Sequence, residues 1–410
     1  MIEIINKKDC CGCEACAQKC PKSCISLEED NEGFLYPHVD KDTCINCGLC
    51  EKVCPVLTQA AEHQPVKTYA AKSLDDCMRS SSSSGGIFSL IAEKVLEEDG
   101  VVFGASFDDE WRVVHSSAET INDYRKFRES KYVQSHIGNT YKEAEFALKK
   151  GRKVLFTGTP CQIAGLKHYL GKEYENLFSV DFICHGVPSP GVFRQYLLEE
   201  LNRFAQRGEN KTVTLLPITS IPNRNALSRG EEFEIESISF RNKSNGWKKY
   251  SFALELAQAT ADGKKNTVEI SYTMDKNPFI RGFLHDLYLR PSCHNCPAKC
   301  HKSGSDITIA DFWGIGKVIP KVDDDKGISA VMINTEKGQK MFDALSLEKW
   351  EVDYTTIKKY NPAVYRSFGI PKGRTVFFSS NDTFINTALA LTKPSLKEQL
   401  KKVIKFIIRR

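Results

Sequence analysis

The hydrophobic pattern of this 410-residue chain changes near residue 68. Beyond that point, short runs of β-branched and aromatic residues alternate with longer stretches of helical periodicity, which is the pattern of βαβ units. The clearest runs are Val101–Ala105, Lys153–Thr157 and Leu177–Phe182. Residues 57–68 have the polar composition of a linker. The pattern therefore predicts a small N-terminal head followed by a larger α/β body.

Composition limits the class of protein. Hydrophobic residues make up 41% of the chain and charged residues 27%, as in ordinary globular domains. No apolar run approaches the ~18 to 20 residues of a membrane-spanning helix, and Met1–Asn6 lacks the layout of a signal peptide, so we expect a cytoplasmic protein. Lys and Arg number 57 against 52 Asp and Glu, so nucleic-acid binding has little support.

Cysteine is the most informative residue type. Ten of the 16 cysteines lie within the first 54 residues. Because the cytosol keeps thiols reduced, metal ligation or redox chemistry explains these cysteines better than disulfides do. Residues 1–60 also carry six Lys and Arg against ten Asp and Glu, a balance of −4. An acidic, cysteine-rich head thus precedes a basic body.

Two runs of C-x2-C-x2-C-x3-C-P dominate the head. Three cysteines of such a run ligate one [4Fe–4S] cluster, and the fourth, before the proline, ligates the cluster of the other run. The alternative is a pair of zinc knuckles, but zinc gives no reason for the third cysteine or the Cys-Pro. Cys11 and Cys24 lie outside the pattern and are expected to be buried free cysteines. The predicted ligand sets are Cys10, Cys13, Cys16 and Cys54 for one cluster, and Cys20, Cys44, Cys47 and Cys50 for the other.

The body carries a sparser set of cysteines. Cys161 and Cys184 each follow a predicted strand, so both thiols are expected at the carboxyl edge of a parallel sheet, where α/β proteins place their sites. Together with Cys293 and Cys296 they could ligate a third [4Fe–4S] cluster. Spacing alone leaves three alternatives: Cys161 and Cys184 as structural cysteines, Cys300 as a ligand in place of Cys296, or a zinc site of Cys293, Cys296, Cys300 and His301.

Three further segments have open interpretations. Ser80–Gly86 is either a flexible linker or a turn whose N–H groups and hydroxyls hold a phosphate at a helix start. The polar segment 206–232 is either a surface insertion or a loop over the site. Ser395 and Glu398 form a capping box that opens a basic amphipathic helix. We expect this helix to pack on the body or on a partner, with peripheral contact to a membrane surface as the alternative.

The body contains a series of short motifs, which are Ser84–Gly86, Ser130–Ser135, Gly158–Gln162, Ile183–Gly186, Phe240–Lys243, Arg290–Cys293 with Cys296, Asp306–Thr308, Asp311–Gly314 and Asn361–Pro362. In their sequence and order these motifs resemble the coenzyme F420 hydrogenase/dehydrogenase beta-subunit family over about residues 68–378. The head resembles bacterial two-cluster ferredoxins over residues 6–57.

The resemblance implies a noncovalent FAD, one [4Fe–4S] cluster in the body and hydride chemistry at the flavin. It assigns the body cluster to Cys161, Cys184, Cys293 and Cys296. It also implies that Lys131 is a candidate for a positive charge near the flavin ring, although a surface lysine in a salt bridge is the commoner situation. The positions that match stretches expected around the flavin are Ser84, Gly85, Gly86, Lys131, Tyr132, Gln134, Thr157, Gly158 and Thr159.

Two more residues have a functional and a structural interpretation. Asp311 follows a predicted strand and could be a site carboxylate, but a strand-end Asp that caps a turn is equally expected. His185 lies next to Cys184 and could orient a cluster or move protons, whereas a histidine satisfied by backbone hydrogen bonds is the commoner case. Sequence alone assigns no catalytic residue.

These observations predict an α+β / α/β fold, in which a two-[4Fe–4S] ferredoxin domain (1–60) precedes an α/β body that binds FAD and a [4Fe–4S] cluster (61–380) and a basic amphipathic helix (381–410). The expected function is that of an anaerobic oxidoreductase, which transfers electrons between a hydride-carrying substrate of the F420 type and the clusters through FAD. A non-catalytic electron-transfer subunit that docks a partner redox enzyme is the alternative. The expected partners are a small-molecule hydride donor or acceptor and, as an option, a redox protein.

Overall fold

The computed structural model describes residues 1–207, 211–213, 231–259 and 265–394. Its head contains one antiparallel hairpin, in which β1 (Ile25–Glu29) pairs with β2 (Leu35–Val39). Two short helices, α1 (Ala15–Lys19) and α2 (Leu49–Lys52), each lie within one of the cysteine runs. Such a small head buries little apolar surface, so its stability depends on what its cysteines bind.

Strands and helices alternate through much of the body, as the hydrophobic pattern predicts, but the described strands between residues 211 and 273 follow one another with no helix between them. The remaining strands are β3 (Lys67–Ser73), β4 (Val101–Phe107), β5 (Val113–Ala118), β6 (Val154–Gly158), β7 (Leu177–Phe182), β8 (Lys211–Val213), β9 (Glu231–Asn242), β10 (Ser251–Ala259), β11 (Lys265–Thr273), β12 (Ile307–Asp311), β13 (Ser329–Ile333) and β14 (Leu347–Glu351). The remaining helices are α3 (Asp76–Ser80), α4 (Ile87–Leu96), α5 (Thr140–Lys149), α6 (Pro160–Leu170), α7 (Pro190–Arg207), α8 (Pro278–Leu284), α9 (Ile315–Val318), α10 (Glu336–Asp343), α11 (Tyr354–Tyr360), α12 (Lys372–Ser379) and α13 (Phe384–Leu391).

The main sheet has eight strands in the order β14-β3-β13-β12-β7-β6-β4-β5. The inner strands β12, β7, β6 and β4 are mutually parallel, and each outer strand is antiparallel to its neighbour. The inner strands are rich in Val, Leu, Ile and Phe because both of their faces are covered. Parallel strands bring their carboxyl ends to one edge of the sheet, and that edge carries the site. The predicted fold class is confirmed.

A second sheet of four strands, in the order β11-β10-β9-β8, lies beside the main sheet. Its inner face packs with α7, α8 and α13 in an aromatic core that includes Phe193, Phe240, Phe252 and Phe279. Of the polar segment 206–232, residues 208–210 and 214–230 lie outside the described residues. Where the structure does describe this segment, α7 ends at Arg207 and β8 pairs with the first residues of β9.

The described part of the last predicted segment, 381–394, contains α13, whose Phe384, Ile385 and Ala388 are buried in the aromatic core. The predicted basic amphipathic helix from Ser395 onward lies outside the described residues. Among the helices that the structure describes, none is long and apolar enough to cross a membrane.

The head packs directly on the body through a polar and apolar contact region that we call the joint. Cys11, Cys13 and Ala15 of the head share one hydrophobic core with Ile163 and Leu166 of α6. A glycine permits this approach: a Cβ on Gly165 would lie 2.8 Å from Cys13 Cβ and 3.0 Å from its Sγ. The head and the body are therefore joined as closely as two layers of a single core.

Two buried polar side chains of the head complete the backbone hydrogen bonding of the body at the joint. Glu14 accepts hydrogen bonds from the Ile137 and Gly138 N–H groups, both at 3.0 Å. Gln18 Oε1 accepts from the Tyr141 N–H (3.1 Å) and the Lys142 N–H (3.3 Å) in the first turn of α5. These N–H groups lack partners within the helix, and Asn139, the residue that precedes α5, makes no side-chain cap. The head thus caps a helix of the body.

Candidate functional site

A cavity of about 410 Å³ opens at the carboxyl edge of the main sheet. The ends of β6, β7 and β12 form its floor, and the Ser-Gly turn before α4 forms one wall. Its volume is within the range of about 300 to 1,000 Å³ that is typical of cofactor and small-molecule sites. Its position at the sheet edge is the one that the parallel strands predict.

Most of the positions predicted to surround a flavin line this cavity. The exceptions are Gly85 and Gln134. Gly85 is buried behind the turn, where its N–H donates to Ser329 Oγ (3.0 Å) and an added Cβ would lie 2.4 Å from the Ala71 carbonyl oxygen. Gln134 lies at the joint, where its side chain donates to the Cys11 carbonyl (3.1 Å) and accepts from Arg290 (2.9 Å). The predicted positions that line the cavity are Ser84, Gly86, Lys131, Tyr132, Thr157, Gly158 and Thr159.

The Ser-Gly segment is a fixed turn between α3 and α4, with its hydroxyls engaged. Ser84 Oγ donates to the Ile328 carbonyl (2.9 Å), and Ser83 Oγ accepts from the Ser130 N–H (2.7 Å). Gly86, at φ +87°, ends the turn in the left-handed region just before the ten-residue helix α4. Ser82, Ser83, Ser84 and Gly86 all line the cavity, so the N-terminal end of α4 lies beside it. The positive end of a helix dipole, with the backbone N–H groups of the first turn, favours an anionic group.

Lys131 is held in the cavity wall by backbone carbonyls. Its ammonium donates to the carbonyls of Arg128 (2.7 Å) and Lys126 (2.9 Å). Burial lowers the pKa of Lys131 to about 8, while Glu129 acts in the opposite direction. The residue is thus still mostly protonated at neutral pH, and its ammonium is fixed by these carbonyls.

An ion pair that sequence analysis did not single out stabilises the part of the cavity wall that contains Asp311 and Tyr132. Arg241 Nη1 donates to Asp311 Oδ2 (2.8 Å) and to the Tyr132 hydroxyl (3.0 Å), and its guanidinium lies 4.1 Å from the centre of the Tyr250 ring. Asp311 also accepts from Trp247 Nε1 (2.9 Å). Asp311 therefore lines the cavity as an ion-paired carboxylate that fixes the wall, and its side chain accepts from Arg241 and Trp247 rather than from the backbone of a turn.

Two other lining residues are His185 and Trp313. His185 makes its ring contact with the Asp286 carboxylate, rather than with the backbone as predicted. Trp313 stacks on Trp247, with the ring centroids 5.1 Å apart and the planes 5° from parallel, yet 42% of its surface stays exposed. An exposed indole at a cavity is a flat apolar surface on which a planar ligand can stack.

The cavity lining contains buried polar atoms that have no hydrogen-bond partner. These atoms are His115 Nδ1, Arg128 Nε and Asn361 Nδ2. Burial lowers the pKa of His115 to about 4, so this ring is neutral; its Nε2–H donates to the Thr157 carbonyl (2.9 Å), which leaves Nδ1 as an acceptor. Buried polar groups are normally paired, and unpaired ones in a cavity indicate a missing polar partner. The lining thus fits a ligand with an anionic part, a planar part and several polar edges.

The four predicted ligands of the body cluster come together beside this cavity. Cys184 lines the cavity itself, and the Cys161 thiol lies 3.2 Å from Oγ1 of Thr159, another lining residue. Burial raises the pKa of Cys184 well above its usual value, and the neighbouring Cys293, Cys161 and Cys296 raise it further. Close thiols that disfavour each other's ionisation fit a site in which a metal centre supplies the compensating charge. We call this set the body site.

Cys300 and His301, the residues of the alternative ligand sets, make other contacts in the structure. Cys300 donates to the Tyr365 carbonyl, and its nearest charges are Glu62 and Lys302 rather than the other cysteines. Both ring nitrogens of His301 contact hydroxyls, those of Thr308 and Tyr354. Among the described residues, no three His, Cys, Asp or Glu side chains form a group suited to a single metal ion.

The eight motif cysteines of the head line two separate small cavities. Each cavity is lined by the first three cysteines of one run and the fourth cysteine of the other run, which are the two sets that the spacing predicts. The surrounding side chains are mainly apolar, so each cavity suits a thiolate-bound cluster, although Cys47 of one cavity is exposed to solvent. We call the first the inner site, with Cys10, Cys13, Cys16 and Cys54, and the second the outer site, with Cys20, Cys44, Cys47 and Cys50.

The inner site lies against the body site, and Cys11 lies between them. The buried Cys11 thiol is within hydrogen-bonding reach of both Cys13 of the inner site and Cys161 of the body site. Cys24, the other cysteine outside the motif, is buried next to Cys20 of the outer site, with the sulfurs 3.3 Å apart. The cavity, the body site and the inner site therefore follow one another in space.

Comparisons with known proteins identify both the body and the head by sequence. Two sequence models of the beta subunit of coenzyme F420 hydrogenase/dehydrogenase match the body, the C-terminal model over residues 151–358 and the N-terminal model over residues 68–141. A "4Fe-4S dicluster domain" matches residues 9–58. A 42-residue stretch is 45% identical to "Ferredoxin 7Fe" of Hydrogenibacillus schlegelii, over 10% of this chain and 47% of that protein. The head therefore has the sequence of a domain that binds [4Fe–4S] clusters.

Longer relatives come from methanogens. The chain is 29% identical over 206 residues to "Coenzyme F420-dependent sulfite reductase" of Methanocaldococcus jannaschii, which is 48% of this chain and 31% of that protein. It is 26% identical over 177 residues to one of the subunits of the F(420)H(2) dehydrogenase of Methanosarcina mazei, 40% of this chain and 49% of that protein. These matches therefore span half or less of each relative.

Solved structures that resemble the chain include a hydrogenase subunit. It is a chain of the F420-reducing [NiFe] hydrogenase complex from Methanosarcina barkeri, at 18% identity and a TM-score of 0.42. The match covers 74% of this chain and 90% of that chain.

Proposed function

Because this chain belongs to the coenzyme F420 hydrogenase/dehydrogenase beta-subunit family, we propose that it is an iron–sulfur flavoprotein oxidoreductase. It transfers electrons between a hydride-carrying substrate of the F420 type and [4Fe–4S] clusters, through FAD. One observation carries the proposal: the cavity at the sheet edge and the body site share Cys184, so a ligand in the cavity lies directly beside the four thiols. An anaerobic cytoplasmic setting suits such oxygen-sensitive groups.

The cavity wall holds the FAD in this proposal. The turn residues Ser82, Ser83 and Ser84, with the N-terminal end of α4, bind the anionic pyrophosphate. The Lys131 ammonium adds a fixed positive charge, and Trp313 offers a flat apolar surface. A bound flavin exchanges hydride with a substrate and single electrons with clusters. The lining residues bind and orient this group, and they exclude water from it.

Arg241 has a positioning role in this proposal. Its buried guanidinium connects Asp311, Tyr132 and the Ser83 carbonyl, which belong to three separate segments of the cavity wall. Removal of one partner of a buried ion pair leaves the other charge uncompensated, which costs several kcal/mol. The pair therefore keeps the wall in a single arrangement, so that a bound ring has a defined position.

The iron–sulfur sites extend from the cavity in order. The body site, with Cys161, Cys184, Cys293 and Cys296, exchanges electrons with the cavity, and the inner and outer sites of the head connect it to an external redox partner. Each [4Fe–4S] cluster uses four thiolates, and the three proposed sets use twelve different cysteines. The proximity of Cys11 to both Cys13 and Cys161 supports a direct step between the body site and the inner site.

Anaerobic purification with iron, acid-labile sulfide, zinc and flavin measured on one sample tests the proposal. We expect about twelve iron per chain, on four per cluster, and one FAD. About eight iron without flavin would contradict the proposed role of the body and favour the alternative, an electron-transfer subunit that docks a partner enzyme. Zinc in place of iron would contradict the whole proposal.

A matched pair of variants tests the fourth ligand of the body site. Cys296→Ser should lower the iron content by about four per chain, because a [4Fe–4S] cluster needs its thiolate ligands. Cys300→Ser should leave the iron content unchanged, since Cys300 lies with Glu62 and Lys302, away from the other thiols. The opposite result would assign the ligand to Cys300.

The substrate is tested with the holoenzyme. Flavin and cluster bleaching should follow addition of reduced F420 under anaerobic conditions, with NADH and NADPH as comparison donors. Bleaching by a nicotinamide alone would keep the flavoenzyme proposal and overturn the F420 assignment. Bleaching by none of the three would contradict this substrate class.

A further inference from the structure

Arg290 is a buried cation located between two of the iron–sulfur sites. Its backbone carbonyl accepts from the Cys293 N–H (2.9 Å), so its main chain belongs to the loop of the body site. Its side chain extends into the head, where Nε donates to the Cys10 carbonyl (2.7 Å) and Nη2 to the Leu35 carbonyl (2.9 Å). Only 1% of the residue is exposed. One side chain thus connects the two sites.

The charge of Arg290 has no carboxylate partner among the residues that the structure describes. Its hydrogen-bond acceptors are two carbonyls, the Gln134 side chain and Cys10 Sγ, which lies 3.4 Å from Nη2. Its guanidinium also lies 4.3 Å from the centre of the Tyr36 ring. Arginine stays protonated in proteins, and an isolated buried charge is strongly unfavourable. A compensating negative charge is therefore required nearby, and a thiolate-bound cluster at Cys10, whose Sγ is in contact with Nη2, would supply it.

Both sites lie within the electrostatic reach of Arg290. Its charge interacts with Cys10 and Cys11 on the head side and with Cys161 and Cys293 on the body side. By contrast, its contacts include no residue of the outer site. Gly12, at φ +70°, makes room for the guanidinium, because a Cβ there would lie 2.8 Å from Arg290 Cζ. The backbone of the first cysteine run is thus shaped around this side chain.

We propose that Arg290 is the shared counter-charge of the inner site and the body site, and that it raises the reduction potential of the inner cluster above that of the outer cluster. Reduction of the inner cluster adds one electron from the body cluster and breaks no bond, and the same electron later leaves to the outer cluster. A thiolate-bound cluster becomes more negative on reduction, so a nearby cation and a hydrogen bond to its sulfur favour the reduced state. Arg290 is a positioning residue by this inference, which rests on the proposed iron–sulfur function.

The test compares Arg290→Met and Arg290→Lys with Arg374→Gln in the anaerobic holoenzyme. Arg374 is a matched control because it also joins the head to the body, through Glu32 (2.7 Å), yet contacts no cysteine. Redox titrations followed by electron paramagnetic resonance report the potentials of the clusters, and the signal lost in Cys47→Ser identifies the outer cluster. These readouts are independent of substrate turnover.

Arg290→Met should lower the reduced fraction of the inner cluster at least tenfold at a fixed potential, which for one electron corresponds to about 59 mV. Arg290→Lys should restore most of this shift because it keeps the charge, and Arg374→Gln should leave all potentials unchanged. An unchanged inner potential in a fully loaded Arg290→Met variant would overturn the inference. An equal shift in Arg374→Gln would overturn it as well, by showing that loss of docking is sufficient.

A second measurement needs no variant that removes the charge. In wild-type protein labelled with 15N-arginine, pulsed electron paramagnetic resonance should detect hyperfine coupling between a guanidinium nitrogen and the reduced inner cluster. Arg290→Lys should abolish this coupling, whereas Arg374→Gln should retain it. Its absence from a loaded wild-type sample would overturn the inference. Head cysteines that bind no iron would instead refute the proposed function, and the inference with it.

Discussion

The inner and outer sites of the head arise from the same cysteine motif, yet the fold gives them different surroundings. At the inner site Cys13, Cys16 and Cys54 are buried, and the body covers the cysteine loop with α6 and Arg290. At the outer site Cys47 is exposed, and its neighbour Ile45 is 57% exposed. The same motif thus gives one buried site and one exposed site, because only the inner site lies at the joint. Solvent exposure and nearby charge are the factors that distinguish cluster potentials.

Because of this difference, the inner site contacts the body and the outer site faces solvent. The inner site contacts the body through Cys11 and Cys161, so it suits electron exchange within the molecule. The outer site has open surface around Ile45 and Cys47, so it suits exchange with another protein. Position within the fold, rather than ligand spacing, therefore determines the order of the two sites.

The largest expected contrast comes from removing one ligand of each site. Cys13→Ser and Cys47→Ser should each lower the iron content by about four per chain. Cys13→Ser should also lower the thermal midpoint by more, because Cys13 belongs to the core shared with α6, whereas Cys47 is exposed. Iron analysis and thermal unfolding under anaerobic conditions measure both effects. If both variants lowered the thermal midpoint by the same amount, the described difference in burial between the inner and outer sites would not matter for stability, and the prediction would be wrong.

A second prediction acts on the inner site from the body side. Gly165→Val places side-chain atoms within about 3 Å of Cys13 and of the Tyr141 hydroxyl, which are both buried. Overpacking of this kind costs about 1 to 3 kcal/mol. Gly369→Val is the control, because nothing lies within 4 Å of a Cβ at that position. Denaturant unfolding should show the loss for Gly165→Val only, and signals of the outer cluster should be unaffected in both variants.

The smallest expected effect is a pH dependence of the joint. The Glu14 carboxylate raises the pKa of His136 above its usual value, and Asp108 adds to this effect while burial and Arg112 oppose it. A raised pKa contributes stability that is complete below the unfolded pKa of about 6.5 and is lost as pH rises through the folded value. Since 45% of the His136 side chain is exposed, the loss should stay below about 1 kcal/mol.

Thermal midpoints of wild type and His136→Gln, measured from pH 6 to pH 9, test this dependence. The wild type should lose its small advantage over the variant as the pH rises. A difference that grows with pH would contradict the assigned sign. Glu14→Gln should show a larger loss, which has the same pH-dependent part because the carboxylate that raises the pKa of His136 is gone, and a further pH-independent part because the acceptance of two backbone N–H groups is weakened.

Much of the site follows from sequence where the signal is local. The cysteine spacing predicted the crossed sets that line the two head cavities, and the strand pattern predicted the edge at which Cys161 and Cys184 lie. That these cysteines ligate clusters stays a prediction. Gly85 and Gln134 were expected around the flavin because they belong to motifs whose neighbours line the cavity. Adjacent residues of a turn or a strand point in different directions, and a motif does not specify which of them faces a ligand.

The features that sequence missed depend on contacts between distant segments. Arg241 is joined to Tyr132, Asp311 and Ser83, and Arg290 is joined to Cys10, Leu35 and Gln134. No periodicity or spacing relates such positions. Both arginines lie within the motifs that carry the family resemblance, which was the available signal. A buried arginine cannot be distinguished from a surface one until the fold is known.

The capping of α5 by the head links iron supply to the maturation of the whole chain. Gln18 and Glu14 occupy short segments between cysteines of the first run, so they reach their partners only when that run has its final shape. A newly made chain without iron would leave the start of α5 uncapped and the apolar face of α6 in water. Such a chain would expose backbone donors and apolar surface that the head normally covers, so it would be a substrate for proteolysis. Cofactor assembly thereby becomes a checkpoint for quality control of the protein.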